Sequence, residues 1–153
     1  MPGGERDDTA TLHHMMPFAK TLGVTVTLYQ PDEVRVSLGW SEELCTSGGG
    51  LHGGVVMALA DSAGGACAYL NLPEGARATT TIESKTNFLR AVRSGTVEAV
   101  SRPIHVGRTV IVVETDVRDQ DDRLVARVTQ SQLVLAAEPN HARVGWAAIT
   151  PSR

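Results

Sequence analysis

The chain has 153 residues, 42% hydrophobic and 20% charged, with 14 Lys and Arg against 17 Asp and Glu for a formal charge of −3. That length suits one domain with a proper core. The mild negative charge excludes a general nucleic-acid binder, and two cysteines, Cys45 and Cys67, exclude a disulfide framework.

The N-terminus, MPGGERDDTA, lacks the apolar stretch of a secretory signal, so a cytoplasmic location is expected. Residues 1–22 read as a polar tail and a short helix, kinked or broken at Pro17. Its run His13, His14, Met15, Met16 invites a metal reading. Adjacent helical residues point about 100° apart and make a poor shared ligand set, so no metal site is expected.

Residues 23–29 and 33–40 alternate as two strands around the turn Gln30-Pro31-Asp32, with Val34, Val36, Leu38 and Trp40 on one face. Residues 41–50 form a loop ending in three glycines. Residues 51–72, LHGGVVMALADSAGGACAYLNL, then read as one helix, apolar or small on every side and stopped near Pro73. Its length tempts a membrane reading. Its glycines, His52, Asp61 and the lack of an N-terminal Lys/Arg flank favour the buried helix of a soluble domain. Between Glu43 and Glu74 the only formal charge is Asp61. A carboxylate within a helix expected to be buried is costly unless paired, neutralised or used, which makes Asp61 the leading functional candidate. Cys67, on the same helix, reads as a small buried thiol.

Four more strand patterns follow, at residues 77–89, 95–104, 109–118 and 123–135. The pattern predicts an α+β domain over residues 23–136, a curved antiparallel six-stranded sheet wrapped around one long helix. Residues 137–153 read as a less patterned C-terminal tail containing Trp146, with no placement expected for it. One sheet cannot cover an all-round apolar helix, so a homo-oligomer is expected.

Several stretches together resemble the hotdog-fold acyl-CoA thioesterases, in particular the phenylacetate-pathway (PaaI-like) group. They are Leu51-His52-Gly53-Gly54 at the helix start, Ala58-Leu59-Ala60-Asp61 within it, Asn87-Phe88-Leu89-Arg90-Ala91 at a strand end, Gly107-Arg108, and Asp121-Asp122-Arg123-Leu124-Val125-Ala126. The likeness runs over roughly residues 20–135. It implies hydrolysis of an acyl-CoA to a free carboxylate and CoA, with no cofactor, because CoA is part of the substrate. It makes Asp61 the general base or nucleophile, the Gly53 N–H the oxyanion donor, and His52 the residue orienting that loop. Gly54, Gly65, Thr46, Thr81, Arg90 and Arg108 become substrate-binding candidates, the arginines for the CoA phosphates. Gly64 and Gly65 are expected to leave open space where the thioester lies. The family likeness also implies a dimer of dimers, without nucleic acid or membrane as partner. Relatives often carry Asn or Gln six residues before the motif histidine; here that position is Thr46, which has less reach.

Two other functions fit parts of the pattern. A hotdog enoyl-CoA hydratase or dehydratase would use an Asp and a His five apart, a spacing met here only by Asp8 and His13 in the N-terminal segment. A non-catalytic acyl-CoA sensor would need no carboxylate at position 61, and usually carries a DNA-binding unit that is not visible in this sequence.

Overall fold

The computed structural model describes residues 7–137. It opens with two short helices, α1 (Asp8–Met15) and α2 (Pro17–Leu22). Asp7 caps α1 by accepting the Ala10 N–H at 3.0 Å. Pro17 takes the first position of α2, where its missing N–H is not needed. Of the kink or break expected at Pro17, the structure has the break, at Met16. His13 Nε2 donates to the Val24 carbonyl at 2.6 Å and so fastens α1 to the domain. Among the described residues no group of three or more His, Cys, Asp or Glu stands close enough to hold a metal ion.

Six strands follow the order of the hydropathy pattern: β1 (Thr25–Tyr29), β2 (Val34–Gly39), β3 (Ala76–Phe88), β4 (Thr96–Val106), β5 (Val110–Asp119) and β6 (Leu124–Ala136). They form one antiparallel sheet in the order β1-β2-β4-β5-β6-β3. Alternation fixes which face is buried: Val34, Val36 and Leu38 on β2, Val97 and Ala99 on β4, and Ile111, Val113 and Val117 on β5 all point into the core. Trp40 falls just beyond β2 and is only partly buried. The loop expected at 41–50 contains a 3-10 turn, Glu42–Leu44.

The central helix α3 spans Gly53–Leu70, 18 residues, or about 27 Å. It is shorter than the expected 51–72 because Leu51 pairs with Cys45 in an isolated bridge and His52 is an extended N-cap (φ −61, ψ 135). At the far end Asn71 caps it and ties it down, its amide donating to Cys67 O at 2.8 Å and Pro31 O at 2.6 Å. By length and composition alone α3 could cross a bilayer. It packs instead against β2, β3, β4, β5 and β6, which makes it the core helix. Burial pushes the Cys67 thiol up to about 12, helped by the Asp32 charge, so it carries no thiolate at neutral pH.

The incomplete cover of α3 by one sheet is as expected, while the burial expected for Asp61 needs correction in the single protomer. The helix is not covered all round: Gly54, Met57, Asp61 and Tyr69 are exposed and Gly65 half-buried, steps of three, four, four and four that trace one stripe. Asp61 is therefore exposed in the single protomer, not buried. One sheet wraps a helix from one side, and the carboxylate stands on the stripe left over. The neighbouring strand β3 pairs with β6 along one edge only, and it exposes Ile82 (58%) and Phe88 (53%), with Leu89 (58%) just beyond.

A concavity of about 600 Å³ lies on the opposite face of the sheet among Arg35, Glu98, Arg102, Asp116 and Arg118. Its charges are paired: Arg35 and Arg102 with Glu33, and Arg118 with Asp116. Arg127, forked onto Asp116, and then Arg118 hold that carboxyl below the usual range. It is an ion-paired surface.

Candidate active site

The loop into α3 is closely fastened. Thr46 N–H donates to Gly50 O (3.0 Å), Gly49 N–H to Thr46 O (2.9 Å), Leu51 N–H to Val92 O (2.8 Å) and His52 N–H to Leu44 O (2.9 Å). The Trp40 indole donates to Gly49 O at 3.2 Å, and the Arg93 guanidinium donates to Gly48 O. His52 Nδ1 accepts the Gly54 N–H at 2.9 Å, so in the neutral ring the proton is on Nε2. That bond uses one of the free donors of the helix start. The Gly53 N–H, at the first helical position, has no partner among the described residues. It points from the positive end of the helix macrodipole, a ready site for a developing negative charge. The Phe88 ring lies 3.3 Å from where a Cβ on Gly53 would sit.

Asp61 is held from across the sheet. Its Oδ1 accepts from Gln130 Nε2 at 2.7 Å and from Thr81 Oγ1 at 3.3 Å. Thr81 in turn accepts from Gln132 Nε2 at 2.8 Å. Gln130 and Gln132 are fully buried on the core face of β6. No partner is found for Oδ2 among the described residues. A cavity of about 360 Å³ opens beside the carboxylate, lined by Met15, Met16, Gly65, Tyr69, Ala78, Thr79, Thr80, Thr81 and Gln132. Its walls are polar near Asp61 and apolar toward Tyr69 and the methionines.

The candidates thus fall into separate groups. Asp61, Gly65 and Thr81 share the cavity just described. Gly53 and Arg90 share a second one, also about 360 Å³, with Phe88, Leu89 and Val125. His52 and Gly54 bond to each other, Thr46 sits in the fastened loop, and Arg108 is exposed in the β4–β5 turn. Gly53 and Asp61, eight residues apart on one helix, are separated by about 12 Å along its axis. The space expected at Gly64 is taken: Gln130 Oε1 packs where its Cβ would be, with Gln130 Cδ at 3.1 Å and Val113 Cγ2 at 3.2 Å from that point. Only Gly65 opens to the cavity, with Met16 Cε 3.3 Å from its would-be Cβ.

Gln130 and Gln132 escaped the sequence reading. The available signal was their phase, because both alternate with buried Val128 and so had to face the core.

Residues 48–126 match the thioesterase superfamily, just over half of the chain. The Mycobacterium tuberculosis protein Rv1847 is 32% identical over 123 residues, 79% of this chain and 88% of that one. Thioesterase HI1161 from Haemophilus influenzae superposes with a TM-score of 0.80 at 26% identity, over 92% of this chain and 99% of that one. The E. coli PaaI protein from the phenylacetic acid degradation operon shares the fold, with a TM-score of 0.74 at 20% identity over 84% of this chain and 92% of that one. With its helix wrapped by one antiparallel sheet and its match across the helix, three strands and the start of β6, the chain belongs to the thioesterase superfamily and has the hotdog fold.

Proposed function

We propose that this protein hydrolyses acyl-CoA thioesters at a centre assembled between two protomers, the Gly53 N–H coming from one and Asp61 from the other. The observation that carries the proposal is the separation of about 12 Å between them along one helix, with each lining a different cavity. A single protomer cannot bring both to one carbonyl. A two-fold axis beside the uncovered stripe of α3 and the open edge of β3 brings each to the other's counterpart.

The chemistry follows from the groups. The Gly53 N–H and the helix dipole stabilise negative charge on the thioester oxygen. Asp61 takes a proton from water as the hydroxide oxygen bonds to the carbonyl carbon, or attacks that carbon itself through its free oxygen. Collapse of the tetrahedral intermediate breaks the C–S bond and releases CoA thiolate, which takes the proton that Asp61 drew from water. On the nucleophilic route the thiolate is protonated by solvent, and water then cleaves the mixed anhydride on Asp61 to the free carboxylate. The acyl group lies against Gly65, Met16 and Tyr69, and Arg90 meets the CoA phosphates as they leave the Gly53 cavity. No cofactor is required, since CoA is part of the substrate.

Thiol release from acetyl-, medium-chain, phenylacetyl- and 4-hydroxybenzoyl-CoA tests the activity; binding without release across the panel would identify a sensor and overturn the proposal. Assembly is tested by light scattering after size exclusion. A homodimer is the expected minimum, with a tetramer built from two dimers, because an exposed strand edge beside Ile82 and Phe88 calls for cover. A stable monomer at micromolar concentration would contradict the two-protomer centre.

A further inference from the structure

A buried glutamine that leaves one polar atom unpaired is a poor choice for stability. Gln130 is such a residue: it is 0% exposed, its Nε2 donates to Asp61 Oδ1 at 2.7 Å, and its Oε1 has no partner in the described structure. Oε1 rests against Gly64, and any side chain there would push it aside. A methionine of similar size would fill the same space without an orphaned acceptor. The amide therefore does something that packing does not require.

We infer that Gln130 is a positioning residue, one that captures Oδ1 of Asp61 and leaves Oδ2 as the oxygen facing the substrate. The inference rests on the hydrolytic reading of Asp61. An aspartate on an exposed helix stripe rotates freely about its terminal bond unless one oxygen is held. Two donors hold it here, and both are themselves held. Gln130 comes from the fully buried face of β6. Thr81 receives the Gln132 amide and so has its own hydrogen left for Asp61. Both donors converge on the same oxygen. The other oxygen is left for water or for the thioester carbon, and Gly64 is the absence of side chain that lets Gln130 reach across.

The test is Gln130→Met in the full-length protein. The expected result is unchanged or raised thermal stability, KM for the acyl-CoA within a few-fold of wild type, and kcat lower by about 10–100-fold, the scale of a small misplacement of a reacting group. A residue that only filled space would shift the melting temperature and leave kcat of the folded protein alone. In an Asp61→Asn background the Gln130→Met change is expected to cost nothing further, because it acts through the carboxylate. Wild-type kcat in folded Gln130→Met, or a full additional loss in the double variant, overturns the inference. If Gln130→Met does not fold, Thr81→Val on the edge strand decides: a several-fold fall in kcat supports the inference and an unchanged kcat overturns it. Loss of turnover in Asp61→Asn with none in Gln130→Met removes only the positioning role. Wild-type turnover in Asp61→Asn removes the catalytic reading beneath it.

Discussion

Asp61→Asn is expected to lower kcat by 10²–10⁴-fold or more while leaving binding of the CoA ester largely intact. General-base catalysis alone is worth about that factor, and an amide is neither a base nor a nucleophile at neutral pH. The fold should tolerate the change. Asp61 is exposed in the protomer, and an asparagine Oδ1 can still accept from Gln130 Nε2 and Thr81 Oγ1. The groups proposed to hold CoA, Arg90 among them, line a different cavity of the protomer. Steady-state kinetics with calorimetric titration of the same acyl-CoA separates the two effects, and the inactive variant is suited to trapping bound substrate. Turnover near wild type would make the carboxylate structural and raise the hydratase and sensor readings.

Gly53→Pro is the second large effect. It removes the N–H at the start of α3 that has no partner among the described residues, and loss of a single oxyanion donor typically costs about 10²–10³-fold in kcat. The backbone is prepared for the substitution. Proline suits the first helical position, and His52 before it already has the extended conformation (φ −61, ψ 135) that a pre-proline residue prefers. Crowding against the Phe88 ring is the competing explanation for lost activity, since a Cβ would stand 3.3 Å from it. Gly53→Ala adds the same Cβ and keeps the N–H, so it isolates crowding. The expected outcome is circular dichroism unchanged in both variants, a modest loss in Gly53→Ala and near-complete loss in Gly53→Pro. Equal losses would exclude the N–H from the chemistry.

The strands were legible because each buries one face, so alternation such as Val34, Val36, Leu38 survives in the sequence as a period of two. Helix α3 was legible from its apolar run and the Pro73 stop, but its ends were not. The bridge of Leu51 to Cys45 and the capping by Asn71 depend on residues brought close only by folding. The exposure of Asp61 was illegible for a related reason. Composition says that a helix is apolar, while the sheet decides which stripe it leaves bare. Gly64 and Gly65 look interchangeable in sequence, yet they point 100° apart, one under Gln130 and the other into the cavity. The roles given to Gly53 and Asp61 came from the family likeness. That they stand too far apart to serve one carbonyl within a single chain became evident from the two separate cavities.

The fastening of residues 46–52 has an entropic consequence. Each flexible residue ordered during a reaction adds to its barrier, on the order of 1 kcal/mol in conformational entropy. Here the Trp40 indole, the Arg93 guanidinium and the Leu44 and Val92 carbonyls hold the segment from four directions before any substrate arrives. The ordering is completed once, as the chain folds, and is not repeated at each turnover. A donor built this way also has little freedom to swing aside and bond water. The N–H of Gly53, proposed above as the oxyanion donor, therefore has its direction set by the surrounding fold.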